Sequence, residues 1–174
     1  MRVDSFLIGE SGVEYEGFEL LMNKCASLRA VTEEMNTVRS KLPAVKTLKL
    51  DSCKVLTSSG FADILNMCGG SLVELSAEGC FSIERAFISS PHLVRCALSG
   101  CPALQVARIS SANCREFVAR ACKTLTEVRF ESGTYDLGTF DVRNSGTLKR
   151  VVGVRRHRVR NLDVDGCGSS LEFI

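Results

Sequence analysis

The chain has 174 residues, nine of them cysteines, with 24% charged residues and a formal net charge of +2. That length holds one domain with a sizeable core. The near-neutral balance gives no whole-chain attraction to nucleic acid or membrane, and no run approaches the roughly 18 apolar residues of a membrane span. The opening MRVDSFLIGESGVEYEGF carries acids early and lacks a long apolar core, unlike a secretory leader, so an intracellular location, cytoplasmic or nuclear, with reduced thiols is expected.

In chain order, VDSFLIGES at 3–11 alternates as a strand through Val3, Phe6 and Ile8. GFELLMNKCASL at 17–28 places Phe18, Leu21, Met22 and Cys25 at helical spacing, and GFADILNMCGGSL at 60–72 repeats it with Phe61, Ile64, Leu65 and Cys68. NCREFVARACKTL at 113–125 reads as a looser third copy of this helical phrase. Between the copies runs a strand pattern L-x-x-L-x-L-x-x-C: Val45, Leu48, Leu50, Cys53; Leu72, Leu75, Ala77, Cys80; Leu93, Cys96, Leu98, Cys101; and Leu125, Val128, Phe130, Gly133. CPALQVARISS inserts an extra partial coil that is itself a candidate strand. In the second half Leu125, Leu148 and Leu171 recur every 23 residues. Between them Leu137, Phe140, Val142 and then Val159, Leu162, Val164 give each coil a second apolar alternation. A two-turn helix is too short to be stable alone, so the recurring helices and strands must stack on neighbouring coils.

Residues 45–80, VKTLKLDSCKVLTSSGFADILNMCGGSLVELSAEGC, resemble the leucine-rich repeat, specifically the cysteine-containing repeats of F-box/leucine-rich-repeat proteins. Ser58 stands where that family often has Asp. FSIERAFISSPHLVRCAL at 81–98 is similar to the 23-residue repeats of bacterial surface antigens. The resemblance implies a single right-handed α/β solenoid over 1–174 of about seven coils, with a parallel sheet on the concave side and short helices or turns outside. It also implies display of a curved surface to another protein, as in substrate receptors of ubiquitin ligases. No F-box-like segment is present. Both ends read as unfinished coils, which predicts a longer solenoid or ends covered by a partner or second copy.

Cysteines fit packing. Cys53, Cys80, Cys101 and Cys167 take the turn-off position, Cys25, Cys68 and Cys122 end helical stripes, and Cys96 replaces a strand Leu. Cys114, beside Arg115, lacks a slot and is the one candidate for a reactive thiol. No C-x-x-C occurs and only His92 and His157 are present, so no metal site and no cofactor is expected. Asp163 and Asp165 lack the rest of a calcium loop, and neither histidine sits in a nucleophile motif, so the chain is expected not to be an enzyme.

Strand alternation predicts an outward row that presents Lys49, Asp51, Glu74, Ser76, Glu78, Arg95, Ser99, Arg108, Glu127, Arg129, Glu131, Asp163 and Asp165 to a protein partner. The alternative lies in KRVVGVRRHRVR at 149–160, where Lys149, Arg150, Arg155, Arg156, Arg158 and Arg160 form a basic segment able to hold phosphate. It lacks base-stacking aromatics, which disfavours single-stranded RNA.

Overall fold

The computed structural model describes residues 18–21, 45–68, 70–131 and 136–174. Among them the chain forms a solenoid of stacked coils with two parallel sheets around one core. The strands are β1 (Phe18–Leu21), β2 (Val45–Lys49), β3 (Glu74–Ser76), β4 (Arg85–Ser89), β5 (Arg95–Ala97), β6 (Val106–Ser110), β7 (Glu116–Val118), β8 (Glu127–Phe130), β9 (Leu137–Asp141), β10 (Arg150–Val152), β11 (Val159–Asp163) and β12 (Glu172–Phe173). One sheet has seven strands in the order β1-β2-β3-β5-β7-β9-β11, and the other has five in the order β12-β10-β8-β6-β4. From β3 onward the chain alternates between the sheets, so each coil contributes one strand to each.

The seven-stranded sheet follows from an apolar phrase repeated in register. Leu48 stands beside Leu75, Leu75 beside Cys96, Cys96 beside Phe117, Phe117 beside Phe140 and Phe140 beside Leu162. All but Leu162, which is half-buried, are fully buried. The five-stranded sheet repeats a shorter version, with Ala86, Ala107 and Val128 in register and Val128 beside Val151. Inside, Phe117 stacks on Phe140 with centroids 5.6 Å apart and meets Phe130 of the other sheet edge-on at 5.8 Å. These contacts join the two sheets through one core.

Among the described residues, each exit from the seven-stranded sheet from β2 onward is a turn with a left-handed residue before the cysteine position. Ser52, Gly79, Gly100, Ala121, Asn144 and Gly166 all have φ between 54° and 70°, a region that costs an L-residue about 1–2 kcal/mol and a glycine little. The next side chain points inward and donates to the coil before it. Cys80 Sγ donates to Leu50 O, Cys101 to Ala77 O, Cys122 to Leu98 O and Cys167 to Val142 O, each at 3.2 Å, and Ser145 Oγ donates to Ala119 O at 3.0 Å.

One α-helix is present among the described residues, α1 (Ser58–Met67). Thr57 caps it by accepting from Gly60 N at 3.2 Å, and Phe61, Ile64 and Met67 form its buried face. Leu65, expected on that stripe, is half-buried. Ser58 Oγ accepts from the backbone N–H groups of Glu84 and Arg85 at 2.9 and 3.0 Å, at the start of edge strand β4. The short helix thus covers the sheet edge where a further strand would otherwise pair.

Several expectations are revised. Phe18–Leu21 is a strand rather than the start of a helix; Met22, Cys25 and the strand expected at 3–11 lie outside the described residues. The phrase at 113–125 is not helical: Cys114, Phe117, Ala119 and Cys122 repeat the strand pattern and carry β7. Cys114 therefore has a slot, beside Leu93 at the entry to its strand, and Cys122 occupies the turn-off position rather than a helix end. The side opposite the main sheet is a second parallel sheet from β4 onward, where short helices were expected in the first half and extended segments or turns later.

Candidate interaction surface

Outward positions of the seven-stranded sheet align into rows. The first is Thr47, Glu74, Arg95, Glu116, Thr139 and Asn161, and the second is Lys49, Ser76, Ala97, Val118, Asp141 and Asp163. In the middle, Arg95 Nε lies 3.4 Å from Glu116 Oε1. Ala97 and Val118 alternate outward there yet are only 6% exposed. Both ends of the face are tied by hydrogen bonds. At one end Asp51 Oδ1 accepts from Ser76 Oγ at 2.6 Å and from Glu78 N at 2.9 Å. At the other, Asp141 accepts from Arg120 Nε at 2.6 Å and Arg143 Nη2 at 2.9 Å, and Arg143 Nε reaches Asp163 at 3.1 Å. Burial pushes the Asp141 carboxyl up, but hydrogen bonds from Arg143 and Arg120 outweigh it and hold the group below the usual carboxylate range.

The expected single row is divided between two faces. Lys49, Asp51, Glu74, Glu78 and Arg95 belong to the seven-stranded sheet, with Ser76, Ser99, Asp163 and Asp165. Arg108, Glu127, Arg129 and Glu131 belong to the five-stranded sheet or its exit, across the core. The strand 125–130 shares the apolar spacing of the first sheet's strands but pairs with β6 and β10. Glu127 is also not a solvent-facing residue. It is 6% exposed and lies 3.0 Å from Arg129 Nε and 2.7 Å from Arg150 Nη2. Burial raises its pKa, while the Arg129 hydrogen bond and the charges of Arg129, Arg150 and Arg108 lower it further than burial lifts it. Arg108 meanwhile stacks over the exposed ring of Phe87, 5.0 Å from its centroid.

The face's missing members are Glu116, Arg120, Thr139, Asp141 and Arg143. Reading C-x-x-F-x-A-x-x-C at 114–122 as the strand phrase with Cys in the first Leu slot would have found Glu116 and Arg120.

The basic segment does not form one patch. Lys149 and Arg150 lead into the five-stranded sheet, Arg155, Arg156 and Arg158 lie at a 3-10 turn on the corner, and Arg160 is on β11 of the other sheet. Arg150 is paired with Glu127, and Arg158 with Asp136 at 3.2 Å.

Burial keeps thiols of the described core protonated at neutral pH. Burial pushes Cys68, Cys80 and Cys122 up to about 11 and Cys114 up to about 12. Cys114 is fully buried, so Arg115 does not make it the reactive thiol its neighbour suggested. Among the described residues no three metal-ligating side chains are grouped, and no helix is long and apolar enough to cross a membrane. No family model, no curated protein and no solved structure matches this chain.

Proposed function

We propose that the chain is a non-catalytic protein-interaction scaffold, a subunit of a larger assembly, that presents the outer face of its seven-stranded sheet to a protein partner. The observation that carries this reading is the in-register row Glu74–Arg95–Glu116 beside the small residues Ala97 and Val118. A mixed-sign row held in register offers a partner complementary charges that select one register and orientation. Because backbone ladders and the tied ends fix the row, little ordering is left for binding to oppose. In finer detail we read the coils as leucine-rich repeats, the cysteine-containing kind over 45–80 and the 23-residue kind later, acting inside the cell. In the family resembled, such a module receives substrates for a ubiquitin ligase.

The test is recovery of a partner by tagged protein and by the double reversal Glu74→Lys/Arg95→Glu. A specific partner held by the parent should bind the variant at least about tenfold more weakly, with melting temperature nearly unchanged. Full retention of binding would remove the proposal. The alternative is a nucleic-acid-associated factor holding phosphate through 149–160. It is favoured by the exposed Arg155, Arg156 and Arg160 and weakened by the pairing of Arg150 and Arg158. Phosphate binding would show as affinity for RNA that falls steeply with salt.

A further inference from the structure

At the entry to the seven-stranded sheet, residues far apart in sequence fall on one row. Val73 N donates to Lys46 O, Val94 N to Val73 O, Arg115 N to Val94 O and Gly138 N to Arg115 O, each at 2.8 Å. The pairing of β9 with β11 sets Arg160 beside Gly138. The row therefore reads cation, apolar, apolar, cation, gap, cation. Lys46, Val94, Arg115 and Arg160 are exposed and Val73 is half-buried. Two concavities of about 580 and 670 Å³ run along it, and they meet at Arg115. His92 borders the first, and His157 and Arg158 border the second. Gly138 carries no side chain between Arg115 and Arg160, and a Cβ there would stand 3.2 Å from Arg115 O, a tight contact. Arg160 has no ion pair among the described residues, and Arg115 spends one N–H on the Asp136 carbonyl at 3.1 Å.

We propose that this row is a binding groove for an extended acidic peptide segment of another protein, with separate carboxylates on Arg115 and Arg160 and aliphatic side chains over Val73 and Val94. Strands about 4.8 Å apart put Arg115 roughly 10 Å from Arg160, a gap that glutamates about two to four residues apart on one face of an extended chain can span. The charge pattern favours a peptide over a nucleic acid. The two valines offer nothing to a phosphate, no phenylalanine, tyrosine or tryptophan lines either concavity for base stacking, and the Asp136 carboxylate beside Arg158 opposes a continuous phosphate backbone. Discrete carboxylates can straddle Asp136, whereas a chain of phosphates cannot. This groove is separate from the Glu74–Arg95–Glu116 row, so its failure would leave the sheet-face reading standing.

The experiment is fluorescence anisotropy on the full chain with a labelled peptide of about nine residues, valines at the alternate positions of its first half, glutamates at those of its second half and serines between. The controls are the same peptide with every Glu replaced by Gln and a single-stranded oligouridylate of similar length. The glutamate peptide should bind, weaken with added salt, and exceed the glutamine peptide at least about tenfold. Arg115→Glu/Arg160→Glu should lose about tenfold or more, Arg160→Gln should lose less, and Arg155→Glu/Arg156→Glu, off the row, should change binding by less than about threefold. Melting temperatures are measured on every variant, and Arg160→Gln carries the test if the double reversal does not fold. The proposal is overturned if the glutamate peptide does not bind, if the glutamine peptide binds equally, or if on-row and off-row reversals act alike. It is also overturned if the oligouridylate binds more tightly at the same salt, which would make the groove a nucleic-acid site.

Discussion

A cysteine at the turn-off position solves a packing problem that leucine cannot. The side chain must fill a small space against the coil before it and stand near a backbone carbonyl, and a thiol is compact, largely apolar and a weak donor. Ser145 shows that the donor matters. It holds the same place, reaches Ala119 O at 3.0 Å and accepts from Cys122 N at 3.1 Å. Ser145→Cys should therefore unfold within about 1 kcal/mol of the parent, whereas Ser145→Val, which leaves the buried Cys122 N–H without an acceptor, should lose about 1–3 kcal/mol in urea titration. The thiols also set the alkaline limit of stability. Their folded pKa values are raised, so their contribution is fully present below the ordinary thiol value of about 8.5 and is lost as pH rises through about 11 to 12. Urea midpoints should fall progressively above pH 8.5, with native thiols slow to alkylate at neutral pH; a flat profile to pH 11 would contradict the burial. The acid side has the opposite sign. Glu127 and Asp141 have lowered pKa values, so their stabilisation is present above about pH 4 and is lost as pH falls through the folded values. Asp141→Asn should make the fall below pH 4 shallower.

At the scale of elements, α1 replaces a strand of the second sheet. Its first residue, Ser58, accepts from two N–H groups at the entry to β4. Ser58→Ala should cost about 0.5–1.5 kcal/mol and speed amide exchange at Glu84 and Arg85; unchanged exchange at both would mean the serine does not seal that edge. The helix itself was legible, because Phe61, Ile64, Leu65 and Cys68 keep helical spacing. The copy at 113–125 misled because Cys114, Phe117 and Cys122 fit helix and strand periods about equally over so short a window. Pairing in the sheet decided it: β7 lies between β5 and β9, where a helix would break the ladder. The apolar pattern also cannot tell one sheet from the other. Leu125, Val128 and Phe130 match Leu72, Leu75 and Ala77 in spacing, and only the count of residues per coil places them on opposite faces. That is why Glu127 and Arg129, grouped with Glu74 and Arg95 by the alternation, stand on the other sheet.

Across the whole molecule, a net charge of +2 conceals segregation. Counting Lys49, Arg95, Arg120 and Arg143 against Asp51, Glu74, Glu78, Glu116, Asp141, Asp163 and Asp165, the outer face of the seven-stranded sheet carries more acids than bases. The corner from Arg155 to Arg160 and the row through Arg115 are basic. A solenoid sums many nearest-neighbour contacts, so a reversal on one face leaves the other face and the core in place, and the two surfaces can be tested separately. The most direct measurement is titration of a purified partner against the parent, the face variant Glu74→Lys/Arg95→Glu and the corner variant Arg155→Gln/Arg156→Gln, all with matched melting temperatures. Weakening of at least about tenfold in the face variant, with the corner variant within about threefold of the parent, is the predicted result. Undiminished binding by the face variant together with loss in the corner variant would contradict the sheet face as the site of recognition.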